Sequence, residues 1–332
     1  MNSAKVKKII NDYAVVIMLV LLVAVFTAIN PRFVSFDNIM TIFRQAAVIG
    51  LMGVGLCFCF LVGGFDLSNG SVVSMTSLLA AKLMSSNESF GLGIVPALFV
   101  ALLVALLVGF INGLMITKTG MPPLIGTLST QTIVSGLSLL MVGGKSVYGL
   151  PEKIKFIGQG FVGPIPVPVI LMVVVMLIAS FVLNKTYYGR YVYAVGSNAE
   201  VARLSGINTQ FVKISAYMIS SFGAFLAGVV LLSRLNSGQV EVGAQYPMLV
   251  VTACVAGGVS ISGGQGAMFK AFIGIILISC LSNGFTLLRI SDYWQSVVQG
   301  LILAFAVGFD SYQKLPRLAK RVRKGDTAAG KV

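Results

Sequence analysis

The sequence contains no histidine, and Asp and Glu together number only 10 in 332 residues. Without histidine there is no Ser-His-Asp triad, no Cys-His dyad, no His-ligated metal and no histidine proton relay. So few carboxylates leave little for a carboxylate-based active centre. No catalytic residue and no metal site is therefore assigned. Charge of either sign is scarce, at 10% of the chain, against roughly 25% in an ordinary soluble domain. Cysteine occurs four times. Cys57, Cys59, Cys254 and Cys280 all lie within apolar runs and read as small core residues rather than a disulfide or metal set. Cys57 and Cys59, two apart on a helix, point to different faces.

What the chain has instead is hydrophobic length. Hydrophobic residues make up 57% of it, and ten stretches of 15 or more residues carry no charge: 13–31, 45–65, 67–81, 89–117, 119–144, 156–184, 214–233, 242–269, 271–288 and 293–309. A helix crosses a bilayer core with about 20 mostly apolar residues. Nine of the stretches suffice, and 67–81 falls slightly short. The expected fold class is an all-α polytopic membrane protein with about 10 transmembrane helices, some of them broken. Helices are expected at 13–30, 46–63, 70–86, 94–117, 123–142, 166–184, 212–233, 246–260, 268–288 and 293–309.

The net charge of +14 suggests nucleic acid until the charges are located. Seven basic residues from Lys314 to Lys331 follow the last hydrophobic run, and Lys5, Lys7 and Lys8 precede the first. Basic flanks mark cytoplasmic ends, so both termini read as cytoplasmic, the number of spans as even, and nucleic acid is not implied. The basic tail can also touch anionic membrane lipid. The first run is long for a secretory leader and lacks a clean small-residue cleavage site.

The chain divides into a cytoplasmic N-terminal tail (1–12), a transmembrane domain (13–310) and a basic cytoplasmic tail (311–332), with one sizeable cytoplasmic segment at 184–213. Residues 31–45 are amphipathic; Ser35 or Asp37 can cap a short helix there, lying on the outer interface. Gly63 to Gly70 resembles Gly257 to Gly264 at an offset of 194, with four of eight positions identical. Each octet closes one apolar run and opens the next. Broken helices related by an internal repeat are one way to build a path at membrane depth.

Few polar residues interrupt the apolar runs. Asp66 is the one acid between two runs and away from any charge cluster. A carboxylate at the membrane is a functional candidate, and Asp66 or Ser68 can equally cap the helix starting near Gly70. Both roles are compatible if that helix N-terminus, with its positive dipole end, faces the path. Ser68 and Asn69 belong to the same turn. Asn112 needs a hydrogen-bonding partner, another helix or a ligand. Gln131 and Ser135, four apart, share a helix face and can bond a hydroxylated solute or each other. In the cytoplasmic segment, Asn198 is an N-cap, Glu200 lies in the first turn, Arg203 in the last, and Gly206 just beyond. This spells a short surface helix whose apolar Val201 and Leu204 suit a partner surface.

These residues carry a family resemblance that runs from about Asn30 to Asp310. Asn30-Pro31-Arg32-Phe33 with Asn38-Ile39, the stretch Gly64-Phe65-Asp66-Leu67-Ser68-Asn69-Gly70-Ser71, the segment Tyr188-Gly189-Arg190 through Gly206-Ile207-Asn208, and Gly257-Gly258-Val259 through Gly266 resemble the motifs of membrane-spanning permease subunits of ribose-type ABC sugar importers. Asn112-Gly113 and Pro122-Pro123 also match. The resemblance implies a multi-pass protein of the bacterial cytoplasmic (inner) membrane that pairs with a second permease copy, as homo- or heterodimer. It also implies a cytoplasmic ABC ATPase, which would bind the ATP so that this chain needs no cofactor, and an extracytoplasmic sugar-binding protein. Tyr188, Gly189, Arg190, Gly196, Asn198, Glu200, Arg203, Leu204 and Gly206 would then form the ATPase-coupling segment, and Asp66, Ser68, Asn69, Asn112, Gln131 and Ser135 would be candidates for the substrate path. Two departures stand out. Gln245-Tyr246-Pro247-Met248-Leu249 replaces an acidic Glu-Leu-Asp-Ala-Ile stretch, and Asn69 replaces a usual Val. The expected function is ATP-driven import of a monosaccharide or similar polyol. An ion-coupled secondary transporter is the alternative, for which acids at mid-span are expected; a membrane enzyme is a third.

Overall fold

The computed structural model describes residues 3–87, 91–291, 293–305 and 307–308. The basic cluster from Lys314 to Lys331 and the tail 311–332 lie outside the described residues. The described chain is almost wholly helical: α1 (Ser3–Ile29), α2 (Phe36–Leu61), α3 (Asn69–Met84), α4 (Ile94–Thr119), α5 (Pro123–Val142), α6 (Lys155–Gln159), α7 (Val167–Lys185), α8 (Tyr187–Ser197), α9 (Ala199–Leu204), α10 (Thr209–Leu235), α11 (Tyr246–Ala256) and α12 (Met268–Leu287), with residues 293–305 forming α13. Its only sheet among the described residues is a hairpin pairing Phe161 with Pro166 and Val162 with Ile165.

Six of these helices (α2, α4, α5, α7, α10 and α12) are long and apolar enough to cross a membrane. Against the expectation of about ten, the described residues form a multi-pass helical bundle with six such helices, and two further apolar helices are shorter: Ala14–Ile29 within α1, and α11. α3 has only 16 residues, about 24 Å of helix at 1.5 Å per residue. α11 has 11, about 16 Å. Both begin inside the bundle, at the contact of Gly70 with Pro247.

α2 is the central pillar. Its most apolar window is 83% buried, against 28% for α4 and α5. α4 is more apolar than α2, at mean hydropathy 3.0 against 1.8, and like α5 it turns one face outward, the arrangement expected of helices bordering lipid. Small residues let backbones approach closely: Gly55 of α2 lies on the Ser220 backbone of α10, Gly109 and Gly113 of α4 lie on Tyr217–Met218 and Ile214, and Gly228 of α10 lies on Val73 and Thr76 of α3. Close small-residue packing is the usual means of joining helices where lipid removes the hydrophobic drive.

Two expectations are corrected. Residues 31–45 do not form a separate interfacial helix. Pro31–Val34 make a single 3-10 turn, and Ser35, whose Oγ accepts from the Asn38 N–H at 3.4 Å, then starts α2, which runs unbroken to Leu61. The charges of Asp37 and Arg44 ended the charge-free run without ending the helix. The internal echo holds, shifted by one residue. Both α2 and α11 close with the same Schellman turn: Gly63 and Gly64 donate to Phe60 and Cys59 carbonyls, and Gly258 and Val259 donate to Val255 and Cys254 carbonyls. Gly63 and Gly258 carry the left-handed φ of +72° and +85°. The structural offset is thus 195, pairing Cys59 with Cys254. The two loops touch, since the Gly264 N–H donates to the Leu61 carbonyl at 2.9 Å.

The bundle has two ends. At one, α8 meets the Gly63 and Gly263 loops and carries α9 beyond it; this is the α8 end. At the other lie the hairpin, the 143–160 segment and the C-terminus of α10; this is the hairpin end.

Candidate functional site

Three features deserve the name of site, and they are stacked from one end of the bundle to the other.

The first is the α8–α9 unit. Thr186 caps α8, its Oγ1 accepting from the Gly189 N–H. The Gly189 backbone rests on the Leu183 carbonyl, and the Arg190 guanidinium lies 4.2 Å over the Tyr187 ring. The Tyr188 ring stacks on Phe58 of α2 at 6.3 Å, with its hydroxyl 2.7 Å from Ser215 Oγ. Burial pushes the Tyr188 phenol up to about 12, so it stays protonated and holds that bond at neutral pH. The Tyr193 hydroxyl donates to the Gly266 carbonyl at 3.0 Å. Gly196 fits with no side chain between the Leu61 carbonyl and the Gly264 N–H. One helix therefore touches the ends of both repeat loops.

α9 forms as its sequence spells. Asn198 Oδ1 accepts from the Glu200 and Val201 N–H groups at 3.0 and 3.1 Å. Arg203 donates to Glu200 at 2.6 Å, which holds the Glu200 carboxyl below its ordinary range. Both side chains are exposed, so this pair orients the helix more than it stabilises it. Gly206 ends the unit at a φ of +84° with open space around it. Val201 and Leu204 are 57% and 75% exposed: apolar side chains on a charged, protruding helix.

The second is a buried polar cluster. Asp66 Oδ1 accepts from both the Ser68 N–H at 3.0 Å and Ser68 Oγ at 2.6 Å, and Asn112 Nδ2 donates to Ser68 Oγ at 2.8 Å. The Leu67 N–H donates to Thr127 Oγ1 at 3.2 Å. Asp66, Ser68, Asn69 and Asn112 are fully buried. Asp66 thus folds back on Ser68 instead of capping α3, and the Ser68 side chain makes no capping bond either. Asn112 Oδ1, both amide atoms of Asn69 and Ser221 Oγ of α10 have no hydrogen-bond partner, while Ser220 of α10 lies beside the Asp66 carboxyl. Buried polar atoms are rarely left so. Of the six path candidates, then, four meet in one cluster. Gln131 and Ser135 stand apart, half-buried on α5.

Depth follows from the contacts. The Tyr217 hydroxyl lies beside Phe65 and Gly228 lies beside Val73 and Thr76. Tyr217 and Gly228 are each about two turns from an end of α10. Asn69, which lies between those levels, is therefore near the middle of that helix.

The third is a cavity of about 490 Å³ at the hairpin end, lined by Arg234, Gln239, Glu241, Gln245 and Tyr246 among others. It borders residues 236–245, which are not helical. Gly238 sits on Ala81 and Ser77, while Gly243 sits on Gly70 and Val73 and donates its N–H to Ser74 Oγ at 2.9 Å. Gly238 to Gly243 thus track α3 from Ala81 down to Gly70, about 16 Å at 1.5 Å per residue. Pro247 then packs on Gly70. The first residues of α3 and α11 meet in mid-bundle. Sequence reasoning missed this cavity, as well as Ser220 and Ser221. The stretch Gln245–Leu249 was noted as departing from the family, but the non-helical backbone leading into it was not, and Gly243 was absorbed into one charge-free run.

The four cysteines are free and buried, as expected.

Comparison with known proteins places these features in context. Residues 38–307 match the family model described as the branched-chain amino acid transport system / permease component. The chain is 37% identical over 300 residues to the ribose import permease protein of Haemophilus influenzae, covering 89% of this chain and 92% of that one. It is 35% identical over 302 residues to the D-allose transport system permease protein of Escherichia coli (90% and 91% covered). The L-arabinose transport system permease protein of Escherichia coli is 34% identical over 315 residues (94% and 94%). No solved structure matches.

Proposed function

Given that the chain belongs to the family described as the branched-chain amino acid transport system / permease component, we propose that it is the membrane-spanning subunit of an ATP-driven importer of a monosaccharide. The observation that carries this is the similarity, along about nine-tenths of the chain, to permeases named for ribose, D-allose and L-arabinose. The geometry supports it. A path whose only buried acid among the described residues is tied to Ser68 has little to bind a driving ion with. An exposed apolar helix, α9, stands on a helix that touches both repeat loops, a means of delivering force from outside the membrane.

In this reading the chain is no enzyme, and ATP is bound and hydrolysed by a cytoplasmic ABC ATPase that docks on α9. A binding protein delivers the sugar at the hairpin end, and a second permease copy completes the path. The membrane is the bacterial cytoplasmic (inner) one, crossed ten times by α1–α5, α7 and α10–α13, with both termini cytoplasmic. ATP binding shifts the outward- and inward-open states only through its different affinity for each.

The test is uptake of D-ribose, D-allose and L-arabinose in cells that express the chain with an ABC ATPase and a sugar-binding protein of the same source organism. Uptake of one of them that requires a functional ATPase is expected. Accumulation driven by a sodium or proton gradient with no ATPase, or uptake of leucine in place of a sugar, overturns the proposal. Leu204→Asp sharpens it. A carboxylate on the docking face should lower uptake about tenfold or more, as loss of a central apolar contact does at interfaces, while the amount of protein in the membrane stays unchanged. Wild-type uptake would move the docking surface off α9.

A further inference from the structure

We infer that the cavity beside residues 236–245 is the outward-facing subsite that holds the sugar, a reading that rests on the import function proposed above. The argument starts from the backbone. Irregular backbone is tolerated at membrane depth only where it is buried in protein or lines water. Residues 236–245 leave the helical path at Asn236, itself at a left-handed φ of +52°, and descend along α3 with Glu241 at +54°. Non-glycine residues adopt this conformation infrequently. The segment does not simply fill space, because a cavity of about 490 Å³ remains beside it, within the range of about 300–1,000 Å³ for small-molecule sites.

The lining has the chemistry that a neutral polyol requires. Gln239 and Gln245 each offer an acceptor and a donor, Arg234 offers donors only, and Glu241 acceptors only. Tyr246 adds an aromatic face with a polar tip. A set balanced between donors and acceptors suits hydroxyl groups, which are both. Leu231, Leu235, Val242 and Ala244 make up the apolar remainder of the wall, against which the C–H faces of a sugar can lie, whereas a wholly aliphatic ligand would leave the polar groups without partners. At the floor of the descent, α3 and α11 bring their N-termini together at Gly70 and Pro247. Helix N-termini turn unpaired N–H groups and a partial positive charge toward whatever they face. Asn69, the first residue of α3, is buried at this junction with neither amide atom bonded.

The protein supplies its own clean background for a test. Its four cysteines are all buried, so a hydrophilic methanethiosulfonate reagent applied from outside should react slowly with the native chain. Ala244→Cys places a thiol on the cavity wall with little added bulk. In cells taking up a sugar, that thiol should react, the adduct should cut uptake about tenfold or more, and the transported sugar should slow the reaction. A thiol that stays inert, or one that reacts at a rate unmoved by a sugar the same cells import, overturns the subsite and leaves the import function standing. Failure to import D-ribose, D-allose or L-arabinose overturns both. If Ala244→Cys does not reach the membrane, Gln239→Cys on the opposite part of the lining takes its place, with the same two outcomes.

Discussion

Replacing Gly196 by alanine should reduce sugar uptake to near background and lower the melting temperature of the purified protein. The new methyl group would meet the Leu61 carbonyl on one side and the Gly264 N–H on the other. Both are backbone atoms, and neither can swing aside as a flexible side chain would. The Gly264 N–H is already donated to the Leu61 carbonyl at 2.9 Å, so the methyl group would wedge open the bond that ties the two repeat loops. Overpacking of this kind costs about 1–3 kcal/mol; two rigid neighbours put it at the upper end. The effect on transport should exceed the effect on stability, because α8 would be lifted from the only place where it touches both loops. Gly136→Ala, on α5 with nothing nearby, is the control and should change neither. Normal uptake by the Gly196→Ala protein would mean that contact between α8 and the loops is dispensable for coupling.

Asn69→Val should do the opposite to stability. Asn69 is fully buried with both amide atoms unpartnered, and leaving a buried polar group unsatisfied costs about 1–3 kcal/mol. Valine has a similar volume and nothing to satisfy, so the variant should melt at a higher temperature. Uptake should fall about tenfold or more, the loss expected when a site built to hydrogen-bond a hydroxyl loses that group. Gain in one property with loss in the other marks a residue kept for binding. A lower melting temperature would identify Asn69 as a structural element of the α3 start, and unchanged uptake would remove it from the path.

Legibility in the sequence was uneven, for physical reasons. The helices were readable because membrane burial forces long apolar runs, and α9 because capping is local: Asn198, Glu200, Arg203 and Gly206 carry it within nine residues. The meeting of Asp66 and Asn112 was not readable, since it depends on how α4 packs beside the Gly64–Ser68 turn. The outer start of α2 was hidden because charge marks solvent exposure, whereas a helix ends only when its hydrogen bonds do. α8 was passed over because its mixed face suits a surface loop equally well. The descent at 236–245 was hardest. Apolar composition reports that a segment is withdrawn from water, and both a buried helix and a buried irregular strand of backbone meet that condition.

The same descent has an electrical side. A bilayer core is about 30 Å thick. If water entered from the hairpin end as far as the α3–α11 junction, about 16 Å along α3, roughly half of that thickness would remain as insulating protein and most of the membrane voltage would fall across it. An elementary charge crossing it exchanges about 2.3 kcal/mol per 100 mV with the field, delivered over half the usual distance. An uncharged sugar exchanges none. Its passage would be electrically silent, and in the importer proposed above the work of concentrating it would fall on ATP alone.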